Sequence, residues 1–114
     1  MSLKNNLHLL LPVIISTIAV HAQKVDSIFF NLYTDSLKKG TYNYINVEGK
    51  LSNGHFTPLT SKELTFVASA GKFDGNSLFI DINCSEEKIT VKTTLKANPA
   101  MRREIIIYVK KKEE

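Results

Sequence analysis

Two residue types that often stabilise small domains are scarce in this chain of 114 residues: it has no tryptophan and a single cysteine, Cys84. One cysteine excludes an intrachain disulfide, so packing and strand pairing must hold the fold together. Cys84 and His55 cannot supply the four ligands of a zinc site, and we predict no metal or other cofactor. The simplest interpretation of Cys84 is a small apolar residue at a strand end, and an intermolecular disulfide is the alternative.

Long apolar runs are absent after residue 22. Before it, Lys4 precedes an apolar stretch over residues 7–20, and Ala22 follows that stretch closely. This order is typical of a secretory signal peptide, residues 1–22, cut after Ala22. A retained anchor helix is the alternative, but the stretch is shorter than the ~20 residues that cross a bilayer. We therefore predict a secreted or periplasmic protein of the cell envelope, one domain over residues 23–114, without a membrane span after cleavage.

A strong charge of one sign is also lacking. Fifteen Lys and Arg residues against 11 Asp and Glu residues give a formal net charge of +4. This excess is too small to indicate a nucleic-acid partner. No G-x-S-x-G sequence surrounds a serine, and His55 lies beside a turn signal rather than a predicted nucleophile. The sequence therefore predicts no catalytic residues, and we expect that the protein is not an enzyme.

What the chain has instead is a hydrophobic period of two, with β-branched and aromatic residues in short runs between turn signals. Asn53-Gly54 is a strong turn signal, and Asp74-Gly75-Asn76 is a second. The cleanest alternation lies in residues 88–96, which predicts one buried and one solvated face. The predicted strands cover residues 25–33, 41–51, 56–59, 63–69, 77–82, 88–96 and 104–110.

Roughly seven short strands without a crossover helix favour an all-β fold, an antiparallel Greek-key sandwich of the immunoglobulin-like kind. A small closed barrel is the alternative. In the predicted strand 77–82, Leu78, Ile80 and Ile82 share the inner face. Pro58 limits the predicted strand 56–59, because proline cannot donate to a strand ladder.

The order of motifs also resembles a known family. Tyr44 leads through Asn46-Val47-Glu48-Gly49 to the Ser52-Asn53-Gly54 turn, and Pro58-Leu59, Leu64-Thr65-Phe66 and Gly71 follow. This run is similar to bacterial immunoglobulin-like domains of the invasin type, found in cell-surface proteins. The resemblance extends over residues 25–111. It implies a spacer, adhesion or ligand-binding role and supplies no catalytic residues.

Four aromatic residues are the candidate binding face: Tyr42, Tyr44, Phe29 and Tyr33. In the predicted strands they lie opposite the aliphatic core residues. Exposed aromatic rings on a sheet can anchor proteins or stack on sugars. The alternative is a second core layer beneath a loop.

One acidic cluster could be interpreted as a metal site. Asp74-Gly75-Asn76 with Asp81 could offer oxygen ligands to calcium, but a hairpin turn is the simpler interpretation.

The sequence thus predicts an exported, non-catalytic binding or structural module of the bacterial cell envelope, with adhesion or interaction as its role. The partner, a protein or a glycan of the envelope, stays open. The alternatives are a carbohydrate-binding module and a small periplasmic inhibitor or assembly factor.

Overall fold

The computed structural model describes residues 24–111, which form ten strands and no helix. No segment of this part of the chain is therefore a helix that could span a membrane. The predicted signal peptide, residues 1–22, lies outside the described residues. The strands are β1 Val25–Phe30, β2 Ser36–Leu37, β3 Thr41–Tyr44, β4 Val47–Leu51, β5 Phe56–Leu59, β6 Leu64–Ala68, β7 Lys72–Asp74, β8 Ser77–Ile80, β9 Lys88–Leu95 and β10 Arg102–Val109.

The strands pair into three sheets. Their orders are β1-β4-β5, β3-β8-β7 and β2-β10-β9-β6, and every pairing is antiparallel except that of β2 with β10. The all-β, mainly antiparallel character predicted from the sequence is confirmed. The described residues form ten strands against about seven predicted. β2 and β7 have only two and three residues and are too short to show an alternating pattern, and the predicted strand over residues 41–51 is divided in two.

The predicted strand over residues 41–51 is broken in the middle, which is a correction. β3 ends at Tyr44 and β4 begins at Val47, and the two halves belong to different sheets. On one side of this segment, β3 is hydrogen-bonded to β8, whereas β4 is hydrogen-bonded to β5. A continuous ladder cannot pass through such a change of partner, so the backbone groups at the break need other hydrogen-bond partners.

Two buried asparagines supply those partners. The Asn76 Nδ2 donates to the carbonyl oxygen of Ile45 at 3.2 Å and to that of Leu59 at 3.1 Å. On the opposite side, the Asn46 Nδ2 donates to the carbonyl oxygen of Asn31 at 3.0 Å. Because a side-chain amide can replace backbone partners, the segment changes neighbours without leaving these carbonyl groups unsatisfied.

The four-stranded sheet follows the predicted alternation closely. In β9, Ile89, Val91, Thr93 and Leu95 are buried, and the residues between them are exposed or half-buried. β10 runs antiparallel to β9 from Arg102, two residues earlier than predicted. One face of this sheet therefore covers the core and the other faces solvent.

One core lies between the sheets. Its apolar residues come from strands of all three sheets and from residue 45. Ile82 is an exception and a correction: it lies beyond the end of β8 and is 47% exposed. The fully buried apolar residues are Ile28, Leu37, Ile45, Val47, Leu59, Leu64, Leu78, Ile80, Ile89, Val91, Leu95 and Ile107.

The turns behave as their sequences predict. Gly54 and Gly75 both adopt positive φ, at 89° and 61°, in the β4–β5 and β7–β8 connections. Pro58 lies within β5, which is an edge strand of its sheet, where a missing N–H is tolerated.

Candidate functional site

Strand β3 carries two of the predicted aromatic residues to the protein surface. Tyr42 and Tyr44 are two positions apart, so they share one face of the strand, and they are 56% and 46% exposed. Tyr42 pairs with Phe79 of β8, and the two ring centroids are 5.2 Å apart. The antiparallel register of β3 and β8 thus creates an aromatic surface that neither strand has alone.

The connection after β1 adds a third ring. Tyr33 is 71% exposed and lies beside Tyr44, with ring centroids 6.1 Å apart and an angle of 10° between the rings. Near-parallel, offset rings are a favourable arrangement for two aromatic side chains. The alternative of a second core layer is therefore not what the structure has, since all three tyrosines keep much of their surface in contact with solvent.

The three tyrosines line one groove, which has a volume of about 300 Å³. We call it the tyrosine groove. Its deeper part includes the buried side chains of Leu37, Ile45 and Ile107, and its polar lining includes Thr34, Ser36, Lys38 and Thr41. Lys38 is the sole charged residue of this lining.

A side-chain clamp fixes the wall of the groove between β2 and β3. Asn43 accepts a hydrogen bond from the backbone N–H of Lys38 at 2.8 Å through its Oδ1. Its Nδ2 donates to the carbonyl oxygens of Lys38 and Leu78, at 3.0 and 3.1 Å. Gly40, with φ of 74°, donates its N–H to the carbonyl oxygen of Ile80 and closes the turn. These bonds tie the connection to β8 and fix the position of the groove lining.

The fourth predicted aromatic residue lies elsewhere. Phe29 is half-buried in β1 and packs edge-on against Phe56 of β5, with ring centroids 5.7 Å apart. It does not line the tyrosine groove. Sequence reasoning had no means of separating it from the tyrosines, because the assignment of strands to sheets is not encoded in local alternation.

Apart from the three tyrosines, the groove lining was missed as a site from the sequence, including Lys38 and Asn43. Phe79, the neighbour of Tyr42, was missed too. The alternation of β8 puts Phe79 on the face away from the buried Leu78 and Ile80. The sequence pattern therefore indicated that Phe79 faces away from the core. Its proximity to Tyr42 depends on strand register, which a single sequence leaves open.

The residues considered for metal binding or catalysis are dispersed. Within residues 24–111, no group of three His, Cys, Asp or Glu side chains could hold a metal ion. Asp74 ends β7, whereas Asp81 accepts a hydrogen bond from the backbone of Asn83, and the Asn76 side chain is turned inward to the core. His55 is exposed in the β4–β5 turn, and Cys84 packs partly against the core.

Comparison with known proteins adds no relative: the chain matches no protein-family model and no curated protein. The site must therefore be interpreted from its own geometry.

Proposed function

We propose that this protein is an exported, non-catalytic binding module of the bacterial cell envelope that recognises its partner through the tyrosine groove. We further propose that its fold is an immunoglobulin-like Greek-key sandwich, related to the bacterial immunoglobulin-like domains of surface proteins. The groove carries the first proposal, and the strand order supports the second.

The pairing order fits an immunoglobulin-like arrangement when β3 and β4 are counted as the two halves of one long strand. The neighbours are then β1, β3/β4, β8 and β7 on one side, and β6, β9 and β10 on the other. These correspond to strands A, B, E, D and C, F, G of such a sandwich. The two-residue β2 beside β10 and the short β5 beside β4 are additions to that pattern. Counted this way, seven of the strand positions correspond to those of the proposed fold, which supports the proposal.

The groove supports binding because it combines concavity, exposed aromatic rings and a fixed wall. Aromatic residues dominate recognition surfaces since each ring contacts a large area while losing little conformational entropy. Ordering costs are low here, because the Asn43 hydrogen bonds and the Tyr33–Tyr44 stack exist in the free protein.

Affinity capture with a matched control tests the proposal. The full chain carries a C-terminal tag, is purified after export and is exposed to a detergent extract of the source cell envelope. The groove variant is Tyr33→Ser with Tyr44→Ser, and the control is Tyr108→Ser, which removes from β10 a ring whose exposure lies between those of Tyr33 and Tyr44. We expect protein or polysaccharide to be retained by the natural chain and by the control but not by the groove variant. Equal retention by the groove variant would contradict the role of the groove.

A further inference from the structure

We infer that the ligand of the tyrosine groove is an oligosaccharide of pyranose rings, neutral or acidic. This inference rests on the proposed function, because it names the chemical class of ligand for the same groove.

The aromatic surface suits the apolar face of a sugar. A pyranose ring presents C–H groups on its face, and the negative face of an aromatic ring attracts such weakly positive hydrogens. Tyr33 and Tyr44 stack on each other within 10° of parallel, and their exposure of 71% and 46% leaves ring surface outside the stack for a sugar. Tyr42 continues the surface along β3, so the groove offers rings to more than one sugar unit.

The polar lining suits the edge of a sugar. Among residues 24–111, the phenolic hydroxyls of Tyr33, Tyr42 and Tyr44 make no hydrogen bond to another protein group, and the same holds for the side-chain hydroxyls of Ser36 and Thr41. A hydroxyl group both donates and accepts hydrogen bonds. Sugar hydroxyls have the same dual character, whereas a polyproline backbone offers carbonyl acceptors alone and so uses only the donor half of each hydroxyl. A groove lined by hydroxyls therefore matches a sugar better than such a peptide.

The charge of the groove further limits the chemical class of the ligand. Lys38 lies in the lining without a carboxylate there, and the one ion pair of the described residues joins Lys92 to Glu104, neither of which lines the groove. A cation without a counter-charge disfavours basic ligands and favours neutral or acidic ones. Uronic acid units would gain a charge-assisted contact with Lys38 that neutral sugars would not.

The composition of the chain provides a direct assay. The protein has four tyrosines and no tryptophan, and three of the four tyrosines line the groove. In a Tyr108→Phe reference protein, all tyrosine emission comes from the groove. We would titrate this full-length, exported protein with cellohexaose, chitohexaose and hexagalacturonate, and with decaproline as a ligand of another class, by fluorescence and by calorimetry.

We expect a saturable change in emission with at least one hexasaccharide. Tyr44→Ala should lower that affinity about tenfold, which corresponds to about 1.4 kcal/mol. Tyr44→Phe keeps the ring and should retain most of the affinity, which separates stacking from loss of structure. If hexagalacturonate binds, Lys38→Gln should weaken its binding more than that of a neutral hexasaccharide.

Three outcomes would overturn the inference: no hexasaccharide binds, a sugar binds equally well to Tyr44→Ala, or decaproline alone binds. If decaproline alone binds and Tyr44→Ala abolishes that binding, the sugar inference is rejected, but the groove is still a binding site. Failure of the proposed function is a separate result, since it requires that the capture experiment give equal retention by the groove variant.

Discussion

Two surfaces of this protein expose aromatic and aliphatic side chains, and they differ in how those side chains are arranged. The outer face of β6, β9 and β10 exposes Val67, Ile106 and Tyr108. Each of these pairs across the sheet with a lysine or threonine, and among residues 24–111 Tyr108 contacts no other ring. In the tyrosine groove, by contrast, rings lie beside rings. Exposure alone is common on protein surfaces, and it is the convergence of several rings with hydroxyl groups on which the proposed binding role of the groove rests.

The two surfaces also differ in the interactions that hold their backbones in place. The four-stranded sheet is held by the long β9–β10 ladder, which needs no special residue. The groove side depends on single residues at the places where the ladder is interrupted: Asn43, Asn76 and Gly71. We therefore expect the groove side to be the more sensitive of the two to point substitution.

The largest effect is expected at Gly71, just before β7. Its φ is +88°, and an added Cβ would lie 2.6 Å from the carbonyl oxygen of Phe79. Gly71→Ala should lower the free energy of unfolding by about 3 kcal/mol, because strain and a backbone clash add. Gly54→Ala is the matched control: its φ is +89° with nothing within 4 Å, so about 1–2 kcal/mol is expected. Urea denaturation measures both, and equal losses would refute the role of the clash.

A loss of about 2–3 kcal/mol is expected for Asn76→Ala. The substitution leaves the buried carbonyl oxygens of Ile45 and Leu59 without their side-chain donor. Asn98→Ala, at an exposed position, is the control and should change the free energy of unfolding by less than about 0.5 kcal/mol. Thermal unfolding of the two variants would show whether the junction between β3 and β4 is as important as the structure indicates.

A smaller difference is expected between Tyr44→Ala and Tyr108→Ala. Tyr44 stacks on Tyr33, so its removal should lower the free energy of unfolding by about 0.5–1.5 kcal/mol. Tyr108 has no ring partner in the described part of the chain, and its removal should change stability by less than about 0.5 kcal/mol. Chemical denaturation of the pair tests the comparison directly, and a larger loss for Tyr108→Ala would reverse it.

The smallest effect is expected on the four-stranded sheet itself. Lys92 and Glu104 face each other across β9 and β10 with 3.9 Å between Nζ and Oε1, and both side chains are largely exposed. Glu104→Gln should therefore lower the free energy of unfolding by at most about 0.5 kcal/mol at low salt, and by less at high salt. Denaturation at two ionic strengths measures this effect. A loss of the same size in high salt would show that it does not come from the Lys92–Glu104 ion pair.

Much of the fold could be predicted because local alternation reports burial. The inner faces of β6, β9 and β10 follow from the period of two in their sequences, and the start of β5 follows from the Asn53-Gly54 turn signal. The break at residues 45–46 could not be predicted, since Tyr44 to Val47 continues the same alternation. A change of sheet partner leaves no periodic signal.

The candidate site was predictable in its parts and not in its assembly. The sequence by itself determined that Tyr42 and Tyr44 lie on a strand face away from the core, because side chains alternate along a strand whatever its neighbours are. Only the tertiary structure decided that Tyr33 and Lys38 join them and that Phe29 does not. Those positions are set by strand register and by hydrogen bonds between residues such as Asn43 and Leu78, which are distant in the chain. Long-range pairing depends on the free energy of the whole fold rather than on any local sequence.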